Sequence, residues 1–226
     1  MDTPTKNYQS RVGALRREKT RNRLIESALA VFAGKGPDAA TIEDFIAAAG
    51  VARGTFYNYF QTTDELLAAV AGETSDEVLD VIDPVVQNES DPACRVVVGS
   101  RLYMGMAARY PMWGAFVTRV GARRGSRGRL LDEYLTRDLQ AAIASGRFKV
   151  GDITVARDIA LGSIMYGIAT LVSGEAPADY TEQAMFALLQ AFGVSAREAR
   201  KIAWAPLAEC REPRGVIFQK NRAEAA

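Results

Sequence analysis

Apolar residues recur along most of this chain at the three-and-four spacing of one helical face, and no stretch alternates in the manner of a half-buried strand. The first period runs from about Arg16, with Leu24, Ile25, Ala28, Leu29, Val31 and Phe32 inside, and ends in Gly34, Gly36 and Pro37. Ile42, Phe45, Ile46 and Ala49 predict a second, shorter helix. Thr41 is placed to cap it, with Asp44 three residues on, and Gly50 to close it in the left-handed conformation, with Val51 buried under the turn. A third short helix follows. In it Phe56 and Phe60 sit one turn apart and point inward, Gly54, Thr55, Asn58 and Tyr59 lie opposite, and Tyr57 stands on the flank. Thr62 with Glu65 makes a second capping box, and Leu66, Leu67 and Val70 begin a longer helix that starts at Thr63 and is expected to stop at Asp83-Pro84.

The remaining pattern predicts helices over 91–110, 111–120, 129–145, 154–172, 181–192 and 195–204. The loop 121–128 interleaves glycines with Arg123, Arg124 and Arg127, but it lacks the Gly-Lys-Ser/Thr ending of a phosphate cradle and reads as an ordinary connector. Residues 1–15 carry Pro4 and Gly13, show no helical period and are predicted to form a flexible basic arm. Residues 206–226, broken by Pro213 and Gly215, are predicted to form a loosely ordered tail. The predicted fold class is therefore all-α: a three-helix helix-turn-helix head over 16–62 and a helical body over 63–205, with the boundary inside one continuous helix.

Composition narrows the function. The 226 residues carry 28 Lys and Arg against 27 Asp and Glu, so no global charge argues for nucleic acid and any basic footprint is local. It is found at Lys6, Arg11, Arg16, Arg17, Lys19, Arg21 and Arg23, opposed only by Glu18 in that span. This run could track a DNA backbone, enter a minor groove or be a solvated helix start. The absence of histidine removes the commonest general base and metal ligand together. Cys94 and Cys210 match no zinc or redox spacing, Cys94 lies in an apolar run expected to bury an inert thiol, and Asp132-Glu133 are adjacent on a helix and cannot form a dyad. No enzyme, cofactor or metal is expected. The longest apolar stretch, 159–172, is broken by Gly162, Ser163, Gly167 and Thr170 and is expected to be too short for a bilayer, and a reducing cytoplasm fits.

The small, polar and aromatic outer face of the third helix suits a major groove, where a small residue such as Gly54 lets the backbone approach. By residue type, Arg53 is the candidate for guanine, Asn58 for adenine and Thr55 for a thymine methyl or phosphate. Tyr57, Tyr59, Thr41 and Thr63 are candidate phosphate contacts, and the helix start at Thr62 and Thr63 can offer backbone N–H groups to a phosphate.

The run from Gly50 to Phe60, GVARGTFYNYF, resembles the recognition segment of the TetR family of bacterial transcriptional regulators, and the similarity extends over about residues 20–70. Two positions depart from it: Ala52 replaces the usual Ser or Thr cap, and Thr63 stands where a Lys commonly meets phosphate. The resemblance implies a double-stranded DNA operator of palindromic form, a homodimer through the last two major helices, and a body that holds a small-molecule effector. The helix 154–172, rich in small residues, and its partner with Met185, Leu188, Leu189 and Phe192 could equally be intramolecular core; the resemblance favours the dimer interface. Tyr103, Met106, Trp113, Phe116, Tyr134, Met165 and Tyr166 are the candidate lining for an apolar ligand, each of them also suited to plain core packing. Arg101, Arg109 and Arg119 are candidate polar anchors for such a ligand, with the surface as the leading expectation for each. The leading expectation is a repressor released by a small apolar ligand; a constitutive DNA-binding protein or a helical adaptor are the alternatives.

Overall fold

The computed structural model describes residues 4–120, 129–215 and 217–219. Helices α1 (Pro4–Lys35), α2 (Ile42–Ala49), α3 (Arg53–Tyr57) and α4 (Thr63–Val86) are followed by α5 (Pro92–Arg109), α6 (Pro111–Val120) and α7 (Arg129–Ala144). The chain continues through α8 (Ile153–Ser173), α9 (Tyr180–Ala191) and α10 (Ala196–Ala203), and no strand occurs among the described residues. The connector 121–128 lies outside the described residues.

α1 packs on α2, α4 and α6, so the head is joined to the body by more than the α4 connection. Phe32 of α1 makes the joint: its ring lies 4.8 Å from Phe45 of α2 and 6.2 Å from Phe116 of α6, centroid to centroid. Phe45 in turn stacks on Phe56 of α3 at 6.4 Å. An unbroken file of buried rings therefore connects the third helix to the body. In the body α5 is central, packing against α4, α6, α7, α8 and α9.

Five expectations are corrected by the fold. α1 begins at Pro4 rather than near Arg16, so residues 4–15 are helical and not a flexible arm. Residues 11–19 contain no buried side chain, and Leu15 is exposed; helix propagation adds one bond per residue at small cost once the packed half has nucleated it, and proline is suited to the first position. Pro84 does not stop α4. It lies in the last turn, where only the bond to the exposed Asp80 carbonyl is forfeited, and Gln87 N–H still donates to Asp83 O at 2.9 Å.

α8 is 21 residues long, and by length and composition alone it would suffice to cross a bilayer. Here Ala156, Ala160, Leu161, Ile164 and Ile168 bury one side of it in the body. Arg101 is 7% exposed, not superficial: its Nη2 pairs with Glu182 of α9 and its Nη1 donates to the Ala205 carbonyl at 2.7 Å. Of the tail from Pro206, the described residues 206–215 and 217–219 are docked, not loose, with Pro213 and Phe218 buried.

Candidate nucleic-acid interface and ligand cavity

The turn between α2 and α3 is built by local chemistry. Thr41 Oγ1 accepts from Asp44 N–H at 3.4 Å while Thr41 N–H donates to Asp44 Oδ2 at 3.0 Å, closing the capping box. Lys35 Nζ lies 2.5 Å from Asp44 Oδ1. That ammonium, with the backbone and side chain of Thr41, pulls the Asp44 carboxyl down from 3.8 to about 2. Gly50 ends α2 at φ 59° and ψ 45°, the left-handed conformation glycine adopts without strain, and Arg23 Nη2 caps its carbonyl at 3.2 Å.

α3 is short. Ala52 occupies its N-cap with no side-chain hydrogen bond, and Asn58 is its C-cap, so the helix closes before Tyr59. Arg53, Gly54, Tyr57 and Asn58 are exposed, and Thr55 and Thr63 are half-buried. Thr41 and Thr62 are exposed with their hydroxyls engaged as helix caps, Thr62 accepting from Glu65 N–H at 3.1 Å. The expected orientation of the two tyrosines is reversed: Tyr57 is exposed and Tyr59 is half-buried against the core. The reason is that α3 ends at Tyr57, and the bonds from Tyr59 and Phe60 N–H to Phe56 O turn the chain back inward. Arg53 Nη2 is held 2.7 Å from Glu43 of α2.

The basic run divides into two groups. Arg21 pairs with Glu73 of α4 and lies over the Phe60 ring at 5.8 Å, and Arg23 serves the α2 cap. Arg11, Arg16, Arg17 and Lys19 are exposed along the projecting half of α1.

In the body, α4, α5, α7 and α8 line a small, partly open cavity of about 40 Å³. Leu79, Ile82, Val86, Val96, Leu131, Leu135 and Ile164 give it apolar walls. One end is charged. Arg137 Nη2 donates to Asp83 Oδ1 at 2.7 Å and to Asp138 Oδ2 at 2.9 Å, and Arg95 Nε stands 3.0 Å from Asp138 Oδ1 without the alignment of a hydrogen bond. The Arg137 guanidinium lies 4.9 Å from the Tyr134 ring centre, and burial, then Asp83 and Asp80, push the Tyr134 hydroxyl above its usual range.

Of the seven aromatic and methionine candidates, Tyr103 and Tyr134 line this cavity. Met106 is core, Trp113 and Phe116 pack at the head-to-body joint, Met165 is half-buried outside the cavity, and Tyr166 is 80% exposed on α8. The sequence reading missed Asp83, Arg95, Arg137 and Asp138. A signal existed: Asp138 falls in the stripe Leu131, Leu135, Ala142, and Asp83 among Leu79, Ile82 and Val86, so each places a carboxylate on an otherwise buried face. Cys94 is half-buried, and its thiol is pushed up to about 11 by burial and by Asp91 and Glu89, which leaves it a poor nucleophile.

Comparison with known proteins agrees with this geometry. Residues 24–70 match the family described as bacterial regulatory proteins, tetR family, and residues 91–205 match the tetracyclin repressor-like C-terminal domain. The crystal structure of RolR in complex with resorcinol is 34% identical, with 88% of this chain and 100% of that chain covered and a TM-score of 0.69. FadR from Bacillus subtilis in complex with stearoyl-CoA shares the fold at 20% identity, covering 77% of this chain and 97% of that one with a TM-score of 0.61. The uncharacterized HTH-type transcriptional regulator YvdT of Bacillus subtilis (strain 168) is 35% identical over 69 residues, a match spanning 30% of this chain and only 36% of that protein. With its head and its body each matching the corresponding domain, the chain belongs to the TetR family of bacterial transcriptional regulators.

Proposed function

We propose that this regulator is a homodimeric repressor that reads a palindromic DNA operator with α3 and is released by a small hydroxylated aromatic compound bound in the body cavity. The observation that carries the reading is the double role of α4. Its capped start directly follows α3, and its second half supplies Leu79, Ile82, Asp83 and Val86 to the cavity wall. A ligand that favours a different tilt of this helix changes the separation of the two recognition helices, which a palindrome requires at about 34–36 Å.

The cavity chemistry supports a ring with hydroxyl groups over a purely apolar compound. Asp83 and Asp138 can accept hydrogen bonds from ligand hydroxyls, and Arg95 and Arg137 can donate or stack, while the remaining wall takes the ring. RolR, the 34% identical relative, was crystallised with resorcinol. Dimerisation is supported by α8, where Val155, Ile159 and Tyr166 expose an apolar stripe 51%, 42% and 80% accessible in the single chain. The exposed Arg53, Gly54, Tyr57 and Asn58, with the half-buried Thr55, form the reading face, with Thr41, Thr62 and Thr63 flanking it on the phosphate side.

Selection of bound DNA from a random pool tests the head and gives the half-site spacing. Displacement of the selected DNA by resorcinol, with toluene as the control lacking hydroxyls, tests the body. A coupling of about 1–3 kcal/mol corresponds to roughly 5- to 150-fold loss of operator affinity, and operator DNA must weaken resorcinol binding by the same factor. Palindromic selection without displacement by any hydroxylated ring would identify a constitutive DNA-binding protein.

A further inference from the structure

The chain beyond α10 is fastened along the body at successive points. Its root is fixed where Arg101 donates to the Ala205 carbonyl. Cys210 Sγ donates to the Val81 carbonyl at 3.0 Å, Glu212 pairs with Arg109, and the N–H groups of Arg214 and Gly215 donate to the Glu77 carboxylate. A Cβ on Gly215 would overlap that carboxylate, which would have to swing away from the two N–H groups. Phe218, 1% exposed, ends the run edge-on to Tyr110 at 5.1 Å and Trp113 at 6.0 Å. Trp113 Nε1 in turn donates to Thr74 Oγ1 of α4 at 3.2 Å, and Ile217 shares a crevice with Asn22 and Ile25 of α1. The segment thus reaches the place where α1, α4 and α6 meet.

α4 lies between this segment and the cavity. Leu79, Ile82, Asp83 and Val86 turn one side of the helix to the cavity, whereas Glu77, Asp80, Val81 and Pro84 turn the opposite side to the C-terminal segment. A helix can move away from an expanding cavity only toward its other face.

We infer that the C-terminal segment is a strap that backs α4, holding it in the tilt of the empty cavity and setting how much ligand is needed to release DNA. This rests on the cavity being the effector site. The strap contacts exist in one tilt, so their free energy adds to that tilt alone, and any ligand that displaces α4 works against them. Loosening the strap therefore raises ligand affinity first. Operator affinity falls only when the displaced tilt becomes a major species. The strap lies outside the region matched to the family's C-terminal domain, which ends at residue 205.

The test uses the full-length protein and two variants, Phe218→Ala, which removes the buried plug, and Gly215→Val, which blocks the approach to Glu77. Phe218→Leu, retaining an apolar plug, serves as the conservative rescue. Release of the strap is read from tryptic cleavage at Arg211 and Arg214, the state of α4 from hydrogen exchange over residues 74–86, and effector binding from calorimetric titration with resorcinol. Both variants are expected to show faster exchange in α4 and resorcinol binding at least about fivefold tighter, with Phe218→Leu returning toward the parent. Unchanged or weaker resorcinol binding in a variant whose strap is demonstrably cut faster would overturn the proposal. Should Phe218→Ala lose its helical circular dichroism, Gly215→Val carries the test. If resorcinol binds neither the parent nor the variants, the effector reading fails for that compound, and the strap is judged on exchange alone: α4 exchange unaltered by strap release refutes it.

Discussion

The guanidinium of Arg53 stands 2.7 Å from the carboxylate of Glu43, which ties the first residue of the recognition helix across the turn to α2. Both side chains are 59% exposed, and a pair in that position contributes little, about 0–1 kcal/mol, so a base or phosphate can compete for the arginine. Arg53→Ala is expected to relax selectivity at one position per half-site at a cost of about 1–3 kcal/mol. Glu43→Gln, which removes a negative charge beside the groove and frees Arg53, should instead strengthen binding to all sequences. Unaltered base preference in Arg53→Ala, measured by selection from a random pool, would remove this residue from base readout.

The projecting half of α1 carries Arg11, Arg16, Arg17 and Lys19 exposed to solvent. If these side chains meet phosphates, deleting residues 1–15 should flatten the dependence of log K on log salt by about 0.9 for each phosphate no longer neutralised, while Arg16, Arg17 and Lys19 keep theirs. An unchanged slope by fluorescence anisotropy would assign the run to a solvated helix surface.

Asp44 links the head to acid. Its carboxyl falls from 3.8 to about 2 in the folded protein because Lys35 and Thr41 bind the charged form. A depressed carboxylate contributes stability that is complete above its unfolded value and is lost as pH falls through the folded one. Thermal unfolding should therefore lose stability between about pH 4 and pH 2, and Asp44→Asn should remove that part of the pH dependence while lowering stability at neutral pH. A parent and variant with parallel pH profiles would refute the linkage.

Arg101 is buried and Glu182 half-buried against it, with side-chain exposures of 8% and 19%. Arg101→Met leaves the carboxylate without its cation and the Ala205 carbonyl without its donor, and should cost about 3–5 kcal/mol. Adding Glu182→Leu should recover most of the loss, since replacing both partners with apolar groups avoids a lone buried charge. Chemical denaturation of the single and double variants measures the difference, and a double variant no more stable than Arg101→Met would show that the pair is not the cause.

The helices of head and body, the Thr41–Asp44 box, the Gly50 turn and the membership of the head in its family were legible in the amino-acid sequence. These features are local: caps, turn glycines and apolar stripes act over a few residues and leave their spacing in the chain. Even where the sequence reading failed locally, as with Tyr57 and Tyr59, the cause was a one-turn difference in where α3 ends. Tertiary structure alone decided what depends on distant partners. Arg101 reads as a surface residue until Glu182 and Ala205 are brought beside it, and the polar cavity end exists only because α4, α5 and α7 converge Asp83, Arg95, Arg137 and Asp138. The tail, polar and broken by proline and glycine, carries no helical period, yet one buried phenylalanine and a few backbone bonds to α4 hold it in place. Periodicity records burial against a neighbouring face. It carries no trace of a single side chain seated in a distant aromatic cluster, or of a charge satisfied by another helix.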